Sequence, residues 1–163
     1  MDPRPSDRRS KSNFGNVLAT AINKNKFEDK MQINELIENF DLLDSWEDKY
    51  RYLIDLGEKL PPLPDQYKTE QWKISGCQSQ VWLVPDFSVA NKITFIGDSD
   101  ASIVKGLIFI VLSIFNNQSP QTIKDIDVDD IFAKIGLEEH LSPSRRNGLS
   151  ALVDKIKNYA QNK

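Results

Sequence analysis

A single cysteine, Cys77, and a single histidine, His140, stand in a chain of 163 residues. One thiol cannot close an intramolecular disulfide, and an unpaired thiol suits a reducing compartment. A cysteine-based zinc site takes about four ligands, and iron–sulfur clusters are held by several cysteines. The chain by itself is therefore expected to scaffold neither. Long apolar runs are scarce as well. The longest, IVKGLIFIVLSIF from Ile103 to Phe115, contains Lys105 and falls short of the roughly 20 apolar residues that span a bilayer. Excess charge of one sign is missing too: 24 acidic residues against 21 basic ones leave a net charge of -3, without the basic surplus that marks a nucleic-acid binder. Neither a membrane nor a nucleic-acid partner is expected. What remains is 39% hydrophobic and 28% charged, an ordinary soluble composition, and long enough to close one core without staples.

The pattern along the chain divides it in two. Residues 1–30 are polar and irregular, with RPSDRRSKS near the start and FGNVLATAI as a weak apolar patch. They read as a disordered tail, with a short organellar targeting segment as the alternative. From residue 31 to 163 a single domain is expected. Ile33, Leu36, Ile37, Phe40 and Leu43 recur at steps of three and four, which predicts an amphipathic helix. Ser45, with Asp48 three residues on, predicts the N-terminus of a second, and PPLP at 61–64 ends it. Three strands are predicted next, at about Gln71–Ser75, Gln80–Phe87 and Lys92–Asp98, the last two forming a hairpin. Pro85 marks an edge or a bulge. Ser99 or Asp100 is expected to cap a helix from Ala101 to Phe115, apolar nearly all round and therefore internal. Short helices follow at about Pro120–Lys124 and Val128–Ile135, with Gly136 as a stop. A last helix has Ser142 as its cap and Pro143 in its first turn. The order predicts an α+β fold: a small three-stranded antiparallel sheet packed with helices.

Three clusters could carry chemistry. In SGCQSQ, Gly76 permits unusual backbone angles and Gln78 can satisfy a loop backbone, so Cys77 is set at a place that presents a side chain. A packing role is the plain alternative, because cysteine is among the most buried residue types. As a nucleophile, Cys77 wants a nearby base, and folding could bring His140 to it. As a sulfur exchanger, it needs one thiolate and no metal. In LSPSRRNGL, Arg145 and Arg146 fall in the first turn of a helix, where cations oppose the helix dipole. They either stay solvated or meet an anion. In GDSDASIVKGL, Asp98, Ser99 and Asp100 precede a helix, and capping accounts for one or two of them.

The three stretches KISGCQSQVWL, GDSDASIVKGL and LSPSRRNGL, in that order, resemble the SufE family of sulfur-acceptor proteins over about Ile33 to Tyr159, without a departure inside the motifs. The resemblance implies a protein that takes sulfur from a pyridoxal-phosphate-dependent cysteine desulfurase, stimulates it, and passes the sulfur to an iron–sulfur cluster scaffold. The pyridoxal phosphate would belong to the partner, and no cofactor to this chain. Cys77 would be the persulfide acceptor, flanked by Gly76 and Gln78 at the partner surface. Asp100 would face the desulfurase. Arg145 would sit in the site with Arg146 as a second cation beside it, and His140 near the loop. A cytoplasmic location is expected, an organelle being the alternative, and a homodimer is left open. Two readings compete: an independent cysteine hydrolase or thiol peroxidase using His140, and an interaction module whose Cys77 only packs.

Overall fold

A computed structural model describes residues 32–162. The expected tail at 1–30 lies outside them. Among the described residues the chain forms, in order, helices α1 (Gln32–Asp41) and α2 (Trp46–Glu58), strands β1 (Val81–Asp86) and β2 (Thr94–Ser99), then helices α3 (Ser102–Phe115), α4 (Pro120–Asp125), α5 (Val128–Ile135) and α6 (Pro143–Gln161). The architecture is α+β, with helices packed on a small antiparallel sheet.

That sheet has two strands, not three. The segment predicted as the first strand spends its start in a 3-10 turn, Glu70–Trp72, and then makes one isolated bridge, Lys73 to Trp82. One backbone bond, Ile74 N–H to the Val81 carbonyl at 2.8 Å, continues that approach. The chain then leaves for the Cys77 loop before a ladder can grow. β1 and β2 pair without a bulge, from Val81 opposite Ser99 to Asp86 opposite Thr94. Pro85 is therefore an edge feature, as a residue with no N–H to donate requires.

Both faces of the hairpin are covered. Val81, Leu83 and Phe95 join the main core, while Trp82, Val84 and Ile96 face a smaller cluster with Leu63 and Tyr67. The chain from PPLP to Tyr67 thus covers the side of the sheet away from the main core. The open edge of β2 is blunted by a side chain. The Asn116 amide accepts from Phe95 N–H at 2.7 Å and donates to the Phe95 carbonyl at 3.2 Å, imitating a neighbouring strand.

α3 runs through the centre, and every residue from Gly106 to Phe115 is buried. Its start differs from the expectation. Neither Ser99 nor Asp100 is the N-cap; Ala101 holds that position and has no side-chain cap. Ser99 is already paired in β2, and its Oγ accepts from Ala101 N–H at 3.2 Å. Asp100 is engaged elsewhere, at the base of the Cys77 loop. The other termini follow local chemistry. Ser45 Oγ accepts from Asp48 N–H, Gly136 ends α5 at φ 77, and Ser142 Oγ accepts from Arg145 N–H with Pro143 in the first turn.

Candidate functional site

The Cys77 loop, residues 75–80, is pinched at its neck. Ile74 N–H reaches the Val81 carbonyl. One residue further out, Gln80 N–H donates to Asp100 Oδ1 at 3.0 Å and Asp100 N–H donates to the Gln80 carbonyl at 3.3 Å. This pair extends the hairpin register by one step and commits one oxygen of the Asp100 carboxylate to a loop amide. Gly76 turns the loop at φ 89. A Cβ there would meet nothing within 4 Å, so the requirement for glycine is conformational.

The loop folds back over α6. Cys77 Sγ lies 3.7 Å from the Gly148 carbonyl, within reach of a weak S–H donation. A Cβ on Gly148 would come to 3.0 Å from that sulfur. The loop and helix approach this closely because position 148 carries no side chain. Cys77 is half-buried, and burial pushes its thiol above the ordinary value, because the thiolate loses hydration.

Beside the sulfur lies a cavity of about 230 Å³. Val81, Val104, Leu107, Ile108 and Leu152 form an apolar floor, and Cys77, Gln78 and Arg145 line its polar side. Arg145 donates through Nη1 to the Tyr50 hydroxyl at 2.8 Å. Among the described residues, no ion pair involves Arg145. The cavity therefore combines a thiol, an apolar floor and a cation whose charge is not neutralised by a carboxylate. Such a site can hold a small, soft anionic group on or next to the sulfur and shield it from water.

The remaining candidates separate. Gly76, Gln78 and Asp100 are exposed at the loop and its base. Arg146 points into another cleft, of about 390 Å³, with Asp127, Glu138 and Asp154 among its walls. His140 stacks on Trp46, ring centroids 4.2 Å apart and planes 19° from parallel, and does not line the Cys77 cavity. Asp98 is buried between Lys68 at 3.5 Å and Lys105 at 3.8 Å, a structural ion cluster under the start of α3. Two residues escaped the sequence reading. Gly148 had a signal, a glycine inside a predicted helix, which asks for a packing reason. Tyr50 had none, since its partner is 95 positions away.

Fold and cavity together define a class: an α+β domain that offers one half-buried loop thiol beside an uncompensated guanidinium. The chain belongs to the SufE family; the Fe-S metabolism associated domain of that family matches residues 34–160. An uncharacterized SufE-like protein of Rhizobium meliloti (strain 1021) is 47% identical over 132 residues, covering 79% of this chain and 94% of the relative. The solution structure of a hypothetical protein from Thermus thermophilus superposes with a TM-score of 0.63 at 21% identity, over 80% of this chain and 93% of the other. That likeness is one of fold. No helix among the described residues is long and apolar enough to cross a membrane.

Proposed function

We propose that the protein is a sulfur acceptor, with Cys77 taking the outer sulfur of a persulfide formed on a pyridoxal-phosphate-dependent cysteine desulfurase. The supporting observation is the sole thiol of the chain, on a glycine-turned loop, lining a cavity with Arg145 inside a SufE-family domain. Cys77 thiolate attacks the terminal sulfur of the donor persulfide. The donor's S–S bond breaks, its cysteine leaves as a thiolate, and Cys77–S–SH is formed. The sulfur keeps its oxidation state, so no external oxidant or reductant is needed. A second thiolate later removes it, delivering it toward an iron–sulfur cluster scaffold.

Each neighbouring group has a task in this reading. Arg145 faces the anionic sulfur. The exposed Gly76, Gln78 and Asp100 meet the donor, and Arg146 adds a cation on the adjacent surface of α6. The raised thiol keeps Cys77 largely neutral at rest, which limits adventitious oxidation. Docking of the donor turns the loop outward and exposes the sulfur. A hydrolase or peroxidase reading needs a base beside the thiol, and the Trp46–His140 stack lends it no support.

The test mixes the protein with a cysteine desulfurase and labelled cysteine, then measures intact mass without reductant. The wild type is expected to gain one sulfur at Cys77 and to speed sulfide release, whereas Cys77→Ser gains none. Equal labelling of the serine variant would remove the acceptor role.

A further inference from the structure

The cation of the site does not hold itself in place. Arg145 lies in the first turn of α6, where the exposed helix amides disfavour a positive charge. A long, flexible side chain there would swing into water at little cost. Instead its Nη1 is tied at 2.8 Å to a hydroxyl on α2. Tyr50 does not line the cavity, and the hydrogen bond to Arg145 is its polar link to the sulfur site.

The identity of this partner matters. A carboxylate in the place of Tyr50 would hold the guanidinium as firmly and cancel its charge. A phenol oxygen accepts one hydrogen bond and leaves the charge and the other N–H donors uncommitted. Tyr50 in turn has little freedom. Its ring meets Trp46 edge-to-face, centroids 4.9 Å apart at 63°, and Trp46 is itself stacked on His140. An aromatic ladder of His140, Trp46 and Tyr50 thus ends on the guanidinium. His140 stands at the far end of that ladder, away from the sulfur.

We infer that Tyr50 is a positioning residue: its hydroxyl holds the Arg145 guanidinium at the Cys77 cavity with its charge uncompensated, so that the cavity selects anionic reactants at the sulfur. This deepens the sulfur-acceptor reading and rests on it only for the identity of the natural reactant.

The test uses two alkylating reagents of similar shape, iodoacetate and iodoacetamide, on the full chain. In both, the Cys77 thiolate forms a C–S bond to the methylene carbon and iodide leaves. Only the first carries a negative charge. The ratio of the two rates reports the field at the sulfur, and any general loosening of the loop raises both rates and cancels. Arg145→Gln is expected to lower the iodoacetate-to-iodoacetamide ratio about fivefold, the order expected when one nearby unit charge is removed in a watery dielectric. Tyr50→Phe keeps the ring against Trp46 and is expected to lower the ratio in the same direction, about twofold or more. The double variant should match Arg145→Gln alone, because nothing remains for the hydroxyl to hold. Tyr50→Trp, a second ring without the phenol oxygen, replaces the phenylalanine variant if that one fails to fold.

A wild-type ratio in the Tyr50 variant overturns the inference. So does an unchanged ratio in Arg145→Gln, or a double variant showing the product of the two single effects. Sulfur uptake from the desulfurase is scored on the same proteins. No uptake with the ratio pattern intact removes the acceptor reading and keeps Tyr50 in its role; uptake with flat ratios does the reverse.

Discussion

Cys77 packs directly on Gly148, its Sγ 3.7 Å from the glycine carbonyl. Replacing Gly148 with alanine sets two effects against each other. Alanine in a helix interior is favoured over glycine by roughly 0.5–1 kcal/mol. The new Cβ would stand 3.0 Å from Cys77 Sγ, closer than the sulfur tolerates. Cys77 is on a loop whose neighbours Ser75, Gly76 and Gln78 are exposed, so the loop is the side that yields. Gly148→Ala is therefore expected to keep or slightly raise the melting temperature while displacing the thiol toward water. Iodoacetamide should label Cys77 about twofold faster or more, since exposure returns the thiol toward its ordinary acidity. Slower labelling would mean that the added methyl seals the thiol in. At this scale the sequence exposed Cys77 clearly: a lone thiol between glycine and glutamine is unlike a packing cysteine in an apolar run. It gave no sign of what Cys77 touches, because Gly148 lies 71 positions away.

Between elements, the closest approach is that of α2 and α3. A Cβ on Gly106 would fall 2.8 Å from the Leu53 carbonyl carbon and collide with its oxygen, and one on Gly57 would fall 2.8 Å from Gly106 N. Two glycines on facing helices let the backbones touch, and neither contact can be relieved by turning a side chain. Gly106→Ala is expected to cost about 3 kcal/mol through overpacking, seen as a loss of roughly 6–12 °C in melting temperature. A variant as stable as the wild type would show that the helices separate freely. The periodicity of α1 and the caps at Ser45, Gly136 and Ser142 were legible because each is a local affair of three or four residues. The third strand was not. Gln71–Ser75 has strand-like composition, but its pairing is decided by where Trp82 lies and by the turn that takes its first residues. The cap of α3 was missed for a similar reason, since the Asp100 carboxylate is claimed by Gln80 N–H across the loop.

For the whole molecule, the thiol ties stability to pH. Cys77 is raised in the folded protein by burial. A raised acid favours its neutral form, so its contribution is whole below the ordinary thiol value, about 8.5, and is lost as pH climbs through the folded value. Tyr52 and Tyr159 are raised by burial as well, with the same sign and starting near 10. The melting temperature is expected to fall as pH rises above about 8, and to fall less steeply in Cys77→Ser across the thiol window. Parallel curves for the two proteins would show that the thiol is indifferent to folding. The comparison isolates Cys77 because the tyrosines are common to both.

What the chain settles alone is short-ranged: the helices and their ends, the internal character of α3, the hairpin, and the thiol that the site is built on. These depend on side chains a few positions apart, whose spacing already carries their geometry. The tertiary structure decided the rest: which helix the thiol leans on, that Arg145 joins it while Arg146 and His140 do not, and that a tyrosine from α2 holds the cation. Those outcomes turn on contacts between residues tens of positions apart, where packing of the core, not local preference, sets the distance.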